Sequence, residues 1–163
     1  MEIRKTTPDD LQRVMDIYNS AREFMKRSGN PTQWPPDYPS EKLILSDISN
    51  GNSYVVTVGN RIAGTFAFII GEDPTYSRIE GCWLNNRPYG TIHRLASDGS
   101  TKGVADECLK FCKALADNIR IDTHKDNTVM LNWIKRSGFK ECGVIYVYDG
   151  SPRIAFHYDS MNM

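Results

Sequence analysis

The stretch YGTIHRLASDGSTKGVADECLKFCKALA, from Tyr89 to Ala116, decides how this chain folds. A short apolar strand opens it and a polar loop holding Gly99, Ser100 and Gly103 follows. An amphipathic helix closes it, with Val104, Cys108, Cys112 and Leu115 on the apolar face. A strand that feeds a small-residue loop and then a helix suits an anion, because first-turn N–H groups lack intrahelical acceptors and the helix dipole is positive there. The stretch therefore predicts a ligand that carries phosphate.

Upstream, Glu2 to Lys5 predicts a strand, and Thr7-Pro8-Asp9-Asp10 a helix start with Thr7 as N-cap and Pro8 at the first helical position. Leu11, Val14, Met15, Tyr18, Ala21 and Met25 form the buried face, and Ser28-Gly29-Asn30 ends the helix. Pro31 to Pro39 carries four prolines in nine positions and is a stiff loop bearing Trp34 and Tyr38, which either cover the core edge or line a pocket mouth. Ser40 caps a helix from Glu41 to Ile48, and Gly59-Asn60 joins Tyr54–Val58 to Ile62–Ile70 as a hairpin. The segment from Gly71 to Pro88 holds Tyr76, Glu80 and Trp83 without a clear period and is expected to be a functional lid or a surface loop.

Downstream, Asn118 to Thr123 is a strand, and after Asp126-Asn127 a helix runs to Ser137 with Gly138 at its C′ position. Asp149-Gly150-Ser151-Pro152 turns a last hairpin between Cys142–Tyr148 and Arg153–Tyr158. This order gives an α/β chain with a mixed sheet and helices on its faces, in a single domain spanning 1–163.

Lys plus Arg and Asp plus Glu both number 20, so net charge points to neither nucleic acid nor an anionic membrane. No apolar run is long enough to cross a bilayer, the first residues lack a signal-peptide core, and the expected location is cytoplasmic. Cys82, Cys108, Cys112 and Cys142 lack CxxC spacing and read as reduced thiols.

Three phosphate loops compete for Asp98 to Ala105. A Walker A loop needs its second Gly before the Lys, whereas here Gly103 follows Lys102. The dinucleotide fingerprint needs a third Gly and an early βαβ unit. The third pattern, [QR]-x-x-G-x-[GA], falls on Ser100-Thr101-Lys102-Gly103-Val104-Ala105, with Gly103 and Ala105 matching and Ser100 departing. Together with Asn127 before the next helix and Gly138-Phe139 after it, the chain resembles the GCN5-related N-acetyltransferase (GNAT) superfamily over essentially its whole length.

That resemblance implies a central mixed, mostly antiparallel sheet with helices on both faces, and transfer of an acetyl group from acetyl-CoA to an amine. It implies that Ser100, Thr101, Lys102, Gly103, Val104 and Ala105 cradle the pyrophosphate, with small residues allowing close backbone approach. It places the pantetheine arm beside Leu95, Ala96 and Ser97 like an added strand, with Asn127 bonding it from the facing strand end. Many relatives carry a Tyr seven residues after the helix-start Asn to protonate the leaving thiolate; here that position is Ile134.

Base candidates are His93, His124 and Glu80, the last through water; the histidines are expected near the gap between their strands, and otherwise a satisfied sheet residue and a solvent-facing turn residue. Trp34, Tyr38, Tyr76 and Trp83 are candidates for the acceptor pocket of a small-molecule or peptide amine, and the C-terminal hairpin offers a homodimer surface. Two alternatives stay open: an acetyl-CoA sensor without turnover, which Ile134 would permit, and a metal-dependent hydrolase built on Asp122, His124, Asp126 and His93. The primary reading needs no metal, and Asp126 is expected to cap the last helix instead.

Overall fold

The computed structural model describes residues 1–162. Eight strands hydrogen-bond in the order β1-β2-β3-β5-β6-β8-β7-β4. They are β1 (Glu2–Lys5), β2 (Ser53–Val58), β3 (Arg61–Ile70), β4 (Glu80–Gly81), β5 (Gly90–Ser97), β6 (Asn118–Thr123), β7 (Lys140–Tyr146) and β8 (Pro152–Asp159). The helices are α1 (Leu11–Arg27), α2 (Glu41–Ser49), α3 (Val104–Leu115) and α4 (Thr128–Arg136). β5 and β6 pair in parallel through Gly90↔Ile119 and Thr91↔Arg120. Antiparallel ladders join β1 to β2, β2 to β3, β6 to β8, β7 to β8 and β4 to β7. The chain packs into two compact units, one of Met1–Ile69 with Ile92–Cys112, the other of Ile70–Thr91 with the chain from Lys113 onward.

In the first unit, strand alternation sends side chains to two helical layers. Val55 packs with Val14, Ile17 and Tyr18 of α1 and Ile44 of α2, while Tyr54 stacks on Phe66 and meets Phe111 of α3 edge-on. The β2–β3 register slips between Val56↔Gly64 and Thr57↔Ile62, so a bulge at Ala63 puts Ile62 in the α1–α2 core while Gly64 faces α3. A Cβ on Gly64 would sit 2.5 Å from Val104 Cγ1, and that absence of a side chain lets α3 lie close to the sheet. Ile17, outside the predicted α1 face, is fully buried.

One boundary and one burial differ from expectation. Thr7-Pro8 opens a 3-10 turn, Pro8–Asp10, and not α1 itself, because the Asp10 carboxylate reaches back to accept the Thr7 N–H at 2.8 Å. α1 ends as anticipated, with Gly29 at φ +88° and the Asn30 N–H bonded to the Met25 carbonyl at 2.8 Å. Leu115, placed on the apolar face of α3, is exposed because it sits in the last turn, beyond the residues that the sheet covers.

In the second unit, Tyr76, Tyr89, Ile145 and Ala155 form a core with Ile79, Trp83 and Val147 around it. The segment Gly71 to Pro88 is therefore not a lid. Pro74–Tyr76 is a 3-10 turn, Glu80–Gly81 is an edge strand on β7, and Leu84, Asn85 and Arg87 bond His157, Asn118 and Asp159. Gly81 (φ +131°) and Gly143 (φ +146°) lie back to back, and a Cβ on either would strike the carbonyl oxygen of Cys142 or Glu80.

Candidate functional site

The loop after β5 is built by its own polar residues. Asp98 N–H donates to the Ala63 carbonyl at 3.0 Å, Gly99 N–H to Ser97 Oγ at 3.0 Å, and Ser100 N–H to Asp98 Oδ1 at 2.9 Å. The last two are short-range turns that use Ser and Asp side chains as backbone surrogates. Gly103 follows at φ +87°, a left-handed conformation that turns the chain into α3, whose first bond runs from Glu107 N–H to the Gly103 carbonyl at 3.0 Å. The N–H groups just before that bond lack intrahelical partners by construction and point along the positive end of the helix.

Two arginines that sequence reasoning passed over hold this loop. Arg13 of α1 donates to Asp98 Oδ2 at 2.6 Å and to the Ile62 carbonyl at 2.8 Å, and Arg61 donates to the same carboxylate oxygen at 3.1 Å. Burial opposes the Asp98 charge, but its bonds from Ser100 and Arg13 hold the carboxyl below its ordinary pKa.

Within β5, Arg94 is the one described non-glycine residue with positive φ, at +53°. The strain is over-determined by its surroundings. Tyr18 Oη donates to the Arg94 carbonyl at 2.9 Å, and the Arg94 guanidinium pairs with Asp47 of α2 at 2.6 Å, both side chains only 8% exposed. Burial works against the guanidinium charge, yet Tyr38 and Asp47 raise its pKa above the ordinary value. Arg94 also donates to Tyr38 Oη at 3.4 Å. Trp34, 8% exposed, lies edge-on between Tyr18 and Tyr38, so the proline-rich loop completes this core and turns the Tyr38 hydroxyl toward Arg94. His93 precedes the kinked residue. Leu95, Ala96 and Ser97 follow it, with Ala96 buried.

The second unit gathers Tyr76 and Trp83 as neighbours, with ring centroids 5.0 Å apart. Between Trp83 and Tyr89 lies the Arg120 guanidinium, 4.1 and 3.9 Å from the two ring centroids, donating to the Asn85 carbonyl at 2.9 Å. Tyr76 Oη donates to Asp122 Oδ1 at 2.5 Å. Glu80 stands apart on the edge strand, exposed, accepting from Tyr146 Oη at 3.0 Å. His124, at the end of β6, accepts the Asp126 N–H on Nδ1 at 3.0 Å; burial first, then Arg153, lowers its pKa against the pull of Asp126.

Asn127, not Asp126, caps α4: its Oδ1 accepts the Met130 N–H at 3.1 Å, a geometry that the preceding Asp would be one residue too early to make. Ile134 is fully buried, so no proton donor stands at that position. Among the described residues, no group of three or more His, Cys, Asp and Glu is arranged to hold a metal ion, and no helix is long and apolar enough to cross a membrane.

His157 gives a pH test of the second unit. It accepts the Leu84 N–H on Nδ1 at 3.1 Å, leaving the proton on Nε2 for Asn118 Oδ1 at 2.6 Å, and burial together with Arg120 lowers its pKa to about 4 despite Asp159. A folded pKa below the unfolded value means that stability is complete above about pH 6.5 and falls as pH drops toward 4. Urea unfolding at pH 7 and pH 5 should differ by about 2 kcal/mol from this group, and His157→Gln should flatten that difference.

Compared with protein-family models and with curated proteins, the chain finds no match. Solved structures match it closely. A GNAT-family acetyltransferase from Streptococcus agalactiae 2603 is 29% identical, with a TM-score of 0.87 over 97% of this chain and 94% of that one. A GNAT-family acetyltransferase from Listeria monocytogenes 4b F2365 is 19% identical (TM-score 0.69, covering 96% and 92%). A ribosomal-protein-alanine N-acetyltransferase from Brucella melitensis is 14% identical (TM-score 0.61, covering 98% and 99%), and at such identities these last two speak for the fold alone.

The mixed, mostly antiparallel sheet with four helices is thus an acetyltransferase fold. The fold is that of the GNAT superfamily.

Proposed function

We propose that this protein transfers the acetyl group of acetyl-CoA directly to an amine of a small acceptor. The observation that carries this reading is the loop from Asp98 to Val104, where Gly103 at φ +87° opens α3 in a chain whose fold is shared with acetyltransferases. Backbone N–H groups from Thr101 to Ala105 would take the pyrophosphate, and a side chain at Gly103 would stand in its way. Leu95 to Ser97 would accept the pantetheine arm as an added strand and turn an N–H toward the thioester oxygen, which gains charge as the amine adds.

In the reaction the amine nitrogen bonds the thioester carbonyl carbon, the carbon–sulfur bond breaks, and the ammonium proton leaves to a base. His124 suits the last task, since its lowered pKa keeps the imidazole neutral near pH 7; His93 and Glu80 are the other candidates. With Ile134 buried, the thiolate takes its proton from solvent or another side chain; a thiol pKa of about 8.5 makes that anion a tolerable leaving group.

Thermal unfolding checks the cofactor. Acetyl-CoA at 100 Kd should stabilise the protein by about 2.7 kcal/mol while EDTA leaves the melting temperature unchanged. An amine panel should then release free thiol; stabilisation with no turnover on any amine would favour a sensor.

A further inference from the structure

Arg61 stands at the first position of β3, and its guanidinium enters the loop opposite. Nη1 donates to Asp98 Oδ2 at 3.1 Å and to Ser100 Oγ at 2.5 Å, and Nη2 donates to Thr101 Oγ1 at 3.1 Å. Arg13 donates to that same Asp98 oxygen, while the other oxygen of the carboxylate serves Ser100. Two guanidiniums therefore share one carboxylate. The Arg61 side chain is 45% exposed. A guanidinium has five N–H donors in a planar fork, and three contacts do not exhaust it.

The Arg61 fork rests on the hydroxyls of Ser100 and Thr101, in the loop that leads into α3.

We infer that Arg61 is a phosphate-binding residue of the acetyl-CoA site, supplying a cationic group from the start of β3 to the loop before α3. The inference rests on the acetyl-CoA reading above and specifies which half of that ligand Arg61 recognises: the phosphates of the nucleotide, and not the pantetheine arm. Arginine matches phosphate oxygens in a two-pronged geometry that lysine cannot reproduce.

Calorimetric titration of the wild type, Arg61→Gln and Arg61→Lys with acetyl-CoA, acetyl-dephospho-CoA and acetyl-pantetheine tests it. Arg61→Gln should weaken acetyl-CoA by about tenfold to a hundredfold and leave acetyl-pantetheine unchanged, with Arg61→Lys recovering part of the loss. A loss that persists with acetyl-dephospho-CoA assigns the pyrophosphate; one that vanishes assigns the 3′-phosphate; both support the inference. An equal loss on all three ligands would make Arg61 a brace of the loop and overturn it, as would no loss on acetyl-CoA. Failure of the wild type to bind acetyl-CoA would overturn the cofactor reading itself, and is distinguished by needing no variant.

Discussion

Replacing Asp47 by alanine is expected to destabilise the protein by about 3–5 kcal/mol, read as a lower urea midpoint at unchanged slope. The Arg94–Asp47 pair is buried on both sides, 2.6 Å apart, and the alanine leaves a guanidinium in the core without its carboxylate. The Arg94 backbone is fixed at φ +53°, where its carbonyl accepts from Tyr18 Oη. The pair Asp47→Ala with Arg94→Gly should recover much of the loss, because glycine accepts that φ and brings no charge to bury. Additive losses in the double variant would show that the ion pair does not hold the kink. Since β5 continues from Arg94 into Leu95 to Ser97, the same single variant should also lower kcat on any amine that the protein acetylates.

Gly103→Arg should abolish acetyl-CoA binding, a loss of at least about a hundredfold or 2.7 kcal/mol. Gly103→Ala separates two effects. At φ +87° any L-residue is strained by about 1–2 kcal/mol, so both variants lose comparable stability, whereas a Cβ alone meets only the Met1 side chain at 3.5 Å. The alanine variant should keep measurable binding and the arginine variant none. Unchanged binding by Gly103→Arg would mean that the phosphates lie elsewhere.

Much of this was legible in the sequence, because periodicity and punctuation agree along the chain. Gly59-Asn60 and Asp149-Gly150 mark the hairpins, Ser40 caps α2 through the Leu43 N–H at 3.1 Å, and Gly29 and Gly138 end their helices with positive φ. The segment from Gly71 to Pro88 was not legible. It is held by side chains that meet partners far along the chain, such as Asn85 with Asn118 and Leu84 N–H with His157, and such pairings leave no local period. For the same reason the arginines were missed. Arg13, Arg61, Arg94 and Arg120 look like ordinary surface residues until the fold gives them Asp98, Asp47 and the rings of Trp83 and Tyr89. The loop could be found from its glycine spacing, whereas the groups that hold it could not.

The most direct measurement is a calorimetric titration of the purified wild-type protein with acetyl-CoA, with acetyl-pantetheine run beside it. Saturable one-to-one binding of acetyl-CoA, markedly tighter than that of the nucleotide-free analogue, is the predicted result. The absence of saturable acetyl-CoA binding would contradict the account at its centre.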